Sequence, residues 1–160
     1  MNYAGLIPND VVNGEGVCTS FWVQGCPHHC PGCFNPETWS FKGGSPLPYD
    51  IRGEIIKALT DNNIQRNFSI LGGEPLCDEN KELVNELILS VRAALPHIKI
   101  FVWTGYTLKE LKKKAKKDAV INSILNNIDV LIDGKFEEEK KDLTLKWRGS
   151  TNQNINYLKK

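Results

Sequence analysis

The sequence has no long apolar run, and no stretch approaches the ~20 consecutive apolar residues that a membrane-spanning helix needs. Residues 1–5 carry neither the basic segment nor the apolar core of a secretory signal peptide. A surplus of charge is also missing, because 20 Lys and Arg residues face 19 Asp and Glu residues, whereas nucleic-acid-binding domains are usually strongly basic. We therefore expect a cytoplasmic protein whose partners include neither a membrane nor a nucleic acid.

The sequence also lacks internal repeats, low-complexity tracts and linkers, and its 160 residues suit one compact domain. They are few for a closed eight-stranded α/β barrel, which typically takes about 250 residues. Strand-like segments alternate with amphipathic segments, a pattern typical of βαβ units around a parallel sheet. The expected fold is therefore α/β, an open partial (β/α) barrel with a mostly parallel sheet in a single domain over residues 1–160.

The predicted elements follow from apolar periodicity and capping residues. Strands are predicted over 18–24, 68–71, 98–103, 129–132 and near 154–157. Helices are predicted after Asp50, over about 80–95, after Thr107 and over 120–127, whereas residues 1–16 and 41–48 are expected to be largely irregular. Ligand chemistry in such folds lies at the C-terminal ends of the strands. Segments 26–33, 72–75 and 104–106 and residue Asp133 are therefore expected to line one cleft.

Three of the five cysteines crowd into residues 26–33 (Cys-Pro-His-His-Cys-Pro-Gly-Cys), hereafter the cysteine loop. In a chain without an export signal such crowding indicates metal binding rather than disulfides. The spacing Cys-x3-Cys-x2-Cys supplies three thiolates, one fewer than the four that hold an ordinary [4Fe-4S] cluster. The remaining iron could then chelate the amino and carboxylate groups of a small molecule. We predict that Cys26, Cys30 and Cys33 hold such a cluster.

A structural zinc site is the alternative interpretation of the cysteine loop. His28 or His29 would complete a set of three cysteines and one histidine, and Cys18 or Cys77 would complete a set of four cysteines. Zinc sites usually draw their ligands from two separated pairs, and the sequence has no second pair. Otherwise Cys18 is expected to be a small buried residue and Cys77 an incidental thiol.

Two further strand ends carry candidate ligand-binding residues. Gly72 and Gly73 leave the backbone open to a ligand, and Glu74 adds a carboxylate that can accept from an ammonium group. Thr104 could hydrogen-bond to a ribose or a carboxylate. A plain strand-to-helix turn and ordinary core packing remain the structural alternatives, and the lysines of residues 109–117 are expected to form a solvated helix face.

These motifs together resemble the glycyl-radical activating enzymes of the radical S-adenosylmethionine superfamily, and more narrowly the activators of anaerobic ribonucleoside-triphosphate reductases. The resemblance spans nearly the whole chain, in residues 1–3, 12–14, 25–33, 35, 38–39, 72–76, 102–106, 129–136 and 147–153. The cysteine loop marks only the superfamily, whereas the segments around Asp133 and Arg148 mark the narrower family. An activator of a different glycyl-radical enzyme remains a second possibility.

The resemblance implies that Cys26, Cys30 and Cys33 are the cluster ligands, and that S-adenosylmethionine contacts Gly32, Cys33, Phe34 and Glu74. It also implies that a flavodoxin- or ferredoxin-like donor reduces the cluster. Cleavage of S-adenosylmethionine would then give a 5′-deoxyadenosyl radical, which takes hydrogen from a glycine of the reductase. Residues 147–153, and less so 109–117, are candidates for docking this partner. Two departures are Glu at position 74, where Asp is common, and Phe at position 34, where Tyr is frequent.

Overall fold

The computed structural model describes residues 1–159 and contains one seven-stranded sheet. The strands are β1 (Asn2–Asp10), β2 (Cys18–Val23), β3 (Ser45–Pro46), β4 (Asn67–Gly72), β5 (Ile100–Trp103), β6 (Val130–Asp133) and β7 (Asn154–Tyr157). The helices are α1 (Ile51–Thr60), α2 (Lys81–Ala94), α3 (Leu108–Ala115) and α4 (Ala119–Asn127). None of the helices among these residues is long and apolar enough to cross a membrane.

The sheet runs in the order β3-β1-β2-β4-β5-β6-β7 and is open at both ends. Its four central strands, β2, β4, β5 and β6, are parallel and follow chain order, with helices in the crossovers. The outer strands are antiparallel, because β1 pairs with β2, β3 with β1, and β7 with β6. The prediction of an open, mostly parallel α/β sheet is confirmed.

Side-chain caps explain where α1 and α3 begin. The Asp50 side chain accepts from the backbone N–H of Gly53 at the start of α1. A capping box starts α3, in which Thr107 accepts from the Glu110 N–H and the Glu110 carboxylate accepts from the Thr107 N–H. Both starts agree with the prediction, because their determinants lie within one helical turn.

The pleat of the strands divides the core into two clusters. Ile100 and Val102 of β5 pack into the larger cluster with the helices, whereas Phe101 between them faces the opposite side of the sheet. There it packs with Val130, Ile132, Trp103, Trp147 and Ile155. Alternate residues of a strand face opposite sides of the sheet, and here each side is covered by one of the two clusters. Both faces of the central strands are therefore buried, which explains their nearly continuous apolar sequence.

The prediction for the first sixteen residues was wrong in extent, since β1 is a nine-residue strand. Pro8 lies in an irregular part of the pairing with β2, between Ile7 and Asp10. A proline is tolerated at such a bulge, although locally it argues against a strand. Residues 41–48 also contain the short strand β3.

Candidate metal centre

The cysteine loop begins three residues after β2, at the C-terminal edge of the parallel strands. The chain that enters the loop is held against residues 38–39 by two backbone hydrogen bonds. The Gly25 N–H donates to Thr38 O (2.7 Å), and the Cys26 N–H donates to Trp39 O (3.0 Å). Gly25 has φ +103°, and a Cβ there would lie 2.0 Å from the Phe41 ring. A glycine is therefore required where the strand turns into the loop.

A cleft of about 490 Å³ opens beside this loop, hereafter the cleft. Cys26, Cys30 and Cys33 line it together with the predicted ligand-binding residues Phe34, Gly72, Gly73, Glu74 and Thr104. The loop and the ends of β4, β5 and β6 thus meet at one site, as expected for parallel strands.

Three residues that were expected to contact the cofactor or to line the cleft, Gly32, Asp133 and Tyr106, do not line it. Gly32 (φ +75°) packs beneath Glu138, where a Cβ would lie 2.8 Å from the Glu138 carboxyl carbon. Asp133 is buried, and its Oδ2 accepts from the Leu108 N–H at the start of α3. Tyr106 lies behind His28, with their ring centroids 4.7 Å apart. Gly32 and Asp133 therefore shape the packing around the cleft rather than its lining.

Backbone N–H groups surround the loop thiols. Burial raises the pKa of the Cys26 thiol, and the backbone N–H groups of His28 and His29 partly offset this. Burial also raises the pKa of the Cys30 thiol, against a hydrogen bond from the Phe136 backbone. The Asn35 N–H lies 3.4 Å from Cys33 Sγ. Hydrogen bonds to sulfur stabilise metal-bound thiolates and tune cluster potentials, so the donor set suits an iron–sulfur cluster.

The fourth ligands considered for zinc are engaged elsewhere. The Cys18 thiol donates to Glu15 O, and the Cys77 thiol donates to Glu74 O. His28 Nε2 lies 2.8 Å from Glu74 Oε1, and His29 stacks on Trp39. Within residues 1–159, no three His, Cys, Asp or Glu side chains are grouped as ligands of a single metal ion.

The Glu74 side chain, expected to accept from a bound ammonium group, already accepts four hydrogen bonds. Its Oε1 receives the Gly105 N–H (2.7 Å) and His28 Nε2 (2.8 Å). Its Oε2 receives the Leu76 N–H and the Thr104 hydroxyl, both at 2.8 Å. Glu74 is 1% exposed, and the Thr104 hydroxyl predicted to meet a ligand donates to it instead.

Residues 136–145 contribute to the site in a way that sequence reasoning missed, whereas residues 147–153 were already a docking candidate. The Phe136 ring packs against Phe34, with centroids 5.0 Å apart, and Leu143, Leu145 and Trp147 line the cleft. A signal was present, because residues 143, 145 and 147 place apolar side chains at alternate positions of a charged stretch. The lysines between 109 and 117 are exposed, as expected for a solvated helix face.

Comparison with known proteins identifies the family of the chain. A family model described as a 4Fe-4S single cluster domain matches residues 12–156. The anaerobic ribonucleoside-triphosphate reductase-activating protein of Pasteurella multocida is 44% identical over 156 residues, 97% of this chain and 96% of the relative. The chain belongs to this family of activating proteins.

Other members of the reductase-activating protein family are also similar along their length. The Escherichia coli K12 member is 41% identical over 160 residues, 99% of this chain and 100% of the relative. The member from Enterobacteria phage T4 is 36% identical over 155 residues, 97% and 93% of the two chains. The family assignment supports the predicted iron–sulfur cluster, whereas the ligand positions remain predictions.

Proposed function

We propose that this chain is an enzyme that activates an anaerobic ribonucleoside-triphosphate reductase by reductive cleavage of S-adenosylmethionine. The proposed cluster ligands are Cys26, Cys30 and Cys33. The observation that carries the proposal is that these thiols share one cleft with the Gly72–Gly73 strand end. The curated relatives carry the name of activating proteins for that reductase, which supports the same partner here.

A bound cluster would supply one electron to S-adenosylmethionine, breaking its bond to the 5′ carbon to give methionine and a 5′-deoxyadenosyl radical. Three protein thiolates leave one iron for the amino and carboxylate groups of that cofactor. Since the cofactor carries the difficult chemistry, the protein has to bind it, orient it and exclude water. A flavodoxin- or ferredoxin-like donor would provide the electron.

The residues proposed for the cofactor site are Gly32, Cys33, Phe34, Gly72, Gly73, Glu74 and Thr104, of which Cys33, Phe34, Gly72 and Gly73 line the cleft without being covered by another proposed contact. Gly73 lines the cleft, and its lack of a side chain lets Gly25 O approach closely, since a Cβ there would lie 2.3 Å from that oxygen. Phe34 is 52% exposed at the cleft, and its ring is available to pack against a flat adenine. Gly32 and Thr104 would act through the packing of the loop and of Glu74.

The open side of the cleft suits a substrate that arrives on another protein. Val12, Phe34 and Leu143 line it and remain largely exposed. Exposed apolar side chains grouped in one patch are typical of a protein-binding surface. The 5′-deoxyadenosyl radical would take hydrogen from a glycine α-carbon of the reductase, giving 5′-deoxyadenosine and a glycyl radical.

Electron paramagnetic resonance tests the proposal directly. The reduced, cluster-loaded chain is mixed anaerobically with S-adenosylmethionine and the reductase, and a glycyl doublet is expected on the reductase. Replacing the reductase glycine by alanine should abolish the doublet, as should Cys30→Ala in this chain. Formation of 5′-deoxyadenosine without a doublet would show that the partner is wrong, and a doublet on another glycyl-radical enzyme would identify the alternative.

A further inference from the structure

The saturated carboxylate of Glu74 leaves no acceptor position for a ligand. A carboxylate offers about four lone-pair sites on its two oxygens. Here those sites receive His28 and Gly105 on one oxygen, and Leu76 and Thr104 on the other. A bound ammonium group would have to displace one of these donors, and two of them are backbone N–H groups that cannot turn away. The geometry therefore indicates a different task for this side chain.

His28 connects Glu74 to the cysteine loop. It lies two residues from both Cys26 and Cys30, and its side chain is 7% exposed. The imidazole sits edge-on against the Tyr106 ring, at 75° between planes. A Cβ on Gly105 would lie 2.6 Å from His28 Cδ2, so the glycine leaves room for the imidazole. Gly105 and Tyr106, which follow β5, thus pack closely around His28, and His28 lies between two predicted cluster ligands.

The backbone of Glu74 is hydrogen-bonded to the residue that precedes the same loop. Its N–H donates to Gly25 O at 2.8 Å, immediately before Cys26. The buried Asn80 amide donates to Glu74 O (2.9 Å) and to Gly25 O (3.3 Å), which joins the two segments again. Glu74 therefore holds the loop at two points, at its start through the backbone and at its middle through His28.

We propose that Glu74 and His28 are positioning residues that clamp the cysteine loop to the ends of β4 and β5. Glu74 holds the loop that carries the three thiols and is not the direct acceptor of the S-adenosylmethionine ammonium group. The inference rests on the proposed function for the identity of what the loop binds. It replaces the direct side-chain contact expected for Glu74.

The test compares His28→Ala, Glu74→Gln and the double variant with the parent chain after anaerobic cluster loading. The rate at which an iron chelator strips the cluster is measured together with the electron paramagnetic resonance spectrum of the reduced cluster. His28→Ala should lose its cluster about tenfold faster, corresponding to one lost hydrogen bond, and Glu74→Gln at least as fast, because its amide NH2 also faces backbone donors. The double variant should lose its cluster no faster than Glu74→Gln alone, because that change already weakens the contact that His28→Ala removes.

Two variants control for general damage to the loop. His28→Gln keeps an amide N–H within reach of Glu74 and should restore most of the cluster lifetime. His29→Ala removes the neighbouring imidazole, which is exposed and stacks on Trp39, and should strip at the parent rate. Altered spectra in His28→Ala that return to the parent form in His28→Gln would show positioning of the cluster rather than loss of folding.

Cofactor affinity separates the two roles of Glu74. If Glu74 positions the loop, Glu74→Gln and His28→Ala should bind S-adenosylmethionine alike per loaded cluster. A Glu74→Gln chain that keeps its cluster like the parent but loses about tenfold in affinity, beside an unaffected His28→Ala, would overturn the inference. A parent chain that takes up no [4Fe-4S] cluster would instead overturn the proposed function and this inference with it.

Discussion

The five cysteines fall into two environments at the scale of single residues. Cys18 and Cys77 are 0% and 2% exposed, and each thiol donates to a backbone carbonyl. The three loop cysteines are partly exposed at the cleft, with backbone N–H groups near their sulfurs. The same side chain therefore packs as a small apolar residue in one setting and is available to a metal in the other.

Removal of single cysteines tests this division. Cys26→Ala, Cys30→Ala and Cys33→Ala should each abolish the cluster, because each removes one of three thiolates on the loop. Cys18→Ala and Cys77→Ala should retain it. Iron and acid-labile sulfide are counted after anaerobic purification, and stoichiometric zinc without sulfide would restore the zinc interpretation.

Cys77 also predicts a pH dependence of stability. Burial raises the pKa of its thiol from 9.0 to about 12. Since the folded state holds this proton more tightly than the unfolded chain, its contribution is complete below pH 9.0 and is lost as the pH rises towards about 12. Cys77→Ala should therefore lose less unfolding free energy over that range than the parent apoprotein, as measured by urea unfolding. Parallel profiles would contradict the expectation.

At the scale of elements, the turn between β4 and α2 lies against the chain that leaves β2. The Gly73 N–H donates to Val23 O, and the Glu74 N–H donates to Gly25 O. A Cβ on Gly73 would lie 2.3 Å from Gly25 O and 2.9 Å from Thr38 O. The two strand ends therefore approach at backbone distance, which a side chain at position 73 would prevent.

Gly73→Ala should therefore destabilise the apoprotein by about 1–3 kcal/mol, the usual cost of overpacking, and should reduce cluster uptake. Gly5→Ala is the matched control, because a Cβ there meets nothing within 4 Å. Urea unfolding and iron counts on both variants check the prediction. Equal stability of the two variants would mean that the turn can move aside.

At the scale of the whole molecule, the hydrogen bonds of Arg92 and the candidate site lie at opposite ends of the parallel strands. Arg92 of α2 donates to Ile98 O, Asn127 O and the Asp129 carboxylate, just before β5 and β6 begin. Asp129 Oδ2 also accepts from the Ile100 N–H. The cysteine loop, Glu74 and Thr104 lie at the other ends of the strands, where the cleft opens.

Arg92→Ala should therefore weaken the fold without changing the site. Loss of partly buried, charge-assisted hydrogen bonds should lower the unfolding free energy by about 1.5–3 kcal/mol. Cluster content and S-adenosylmethionine affinity of the folded protein should stay at the parent values. A variant that folds stably but loads no cluster would show that the two ends are coupled.

The sequence determined those features whose causes are local. Capping residues and apolar periodicity located the helices, because their determinants lie within a few residues. The three thiols were identifiable since eight consecutive residues carry them. The alternation of strand-like and helical segments indicated a parallel sheet, and the length of 160 residues indicated an open one. These inferences required no knowledge of which distant segments meet.

Only the tertiary structure decided how distant segments complete the site. The donors His28 and Gly105 lie 46 and 31 residues from Glu74, so no local pattern reveals that its carboxylate is saturated. β1 also depends on pairing with β2, which outweighs the weak strand propensity of a segment containing Gly5 and Pro8. Residues 134–149 reach the cleft through contacts with distant segments, since Phe136 packs on Phe34 and the Trp103 indole N–H donates to Trp147 O. In each case the contact energy comes from a partner that becomes a neighbour only on folding.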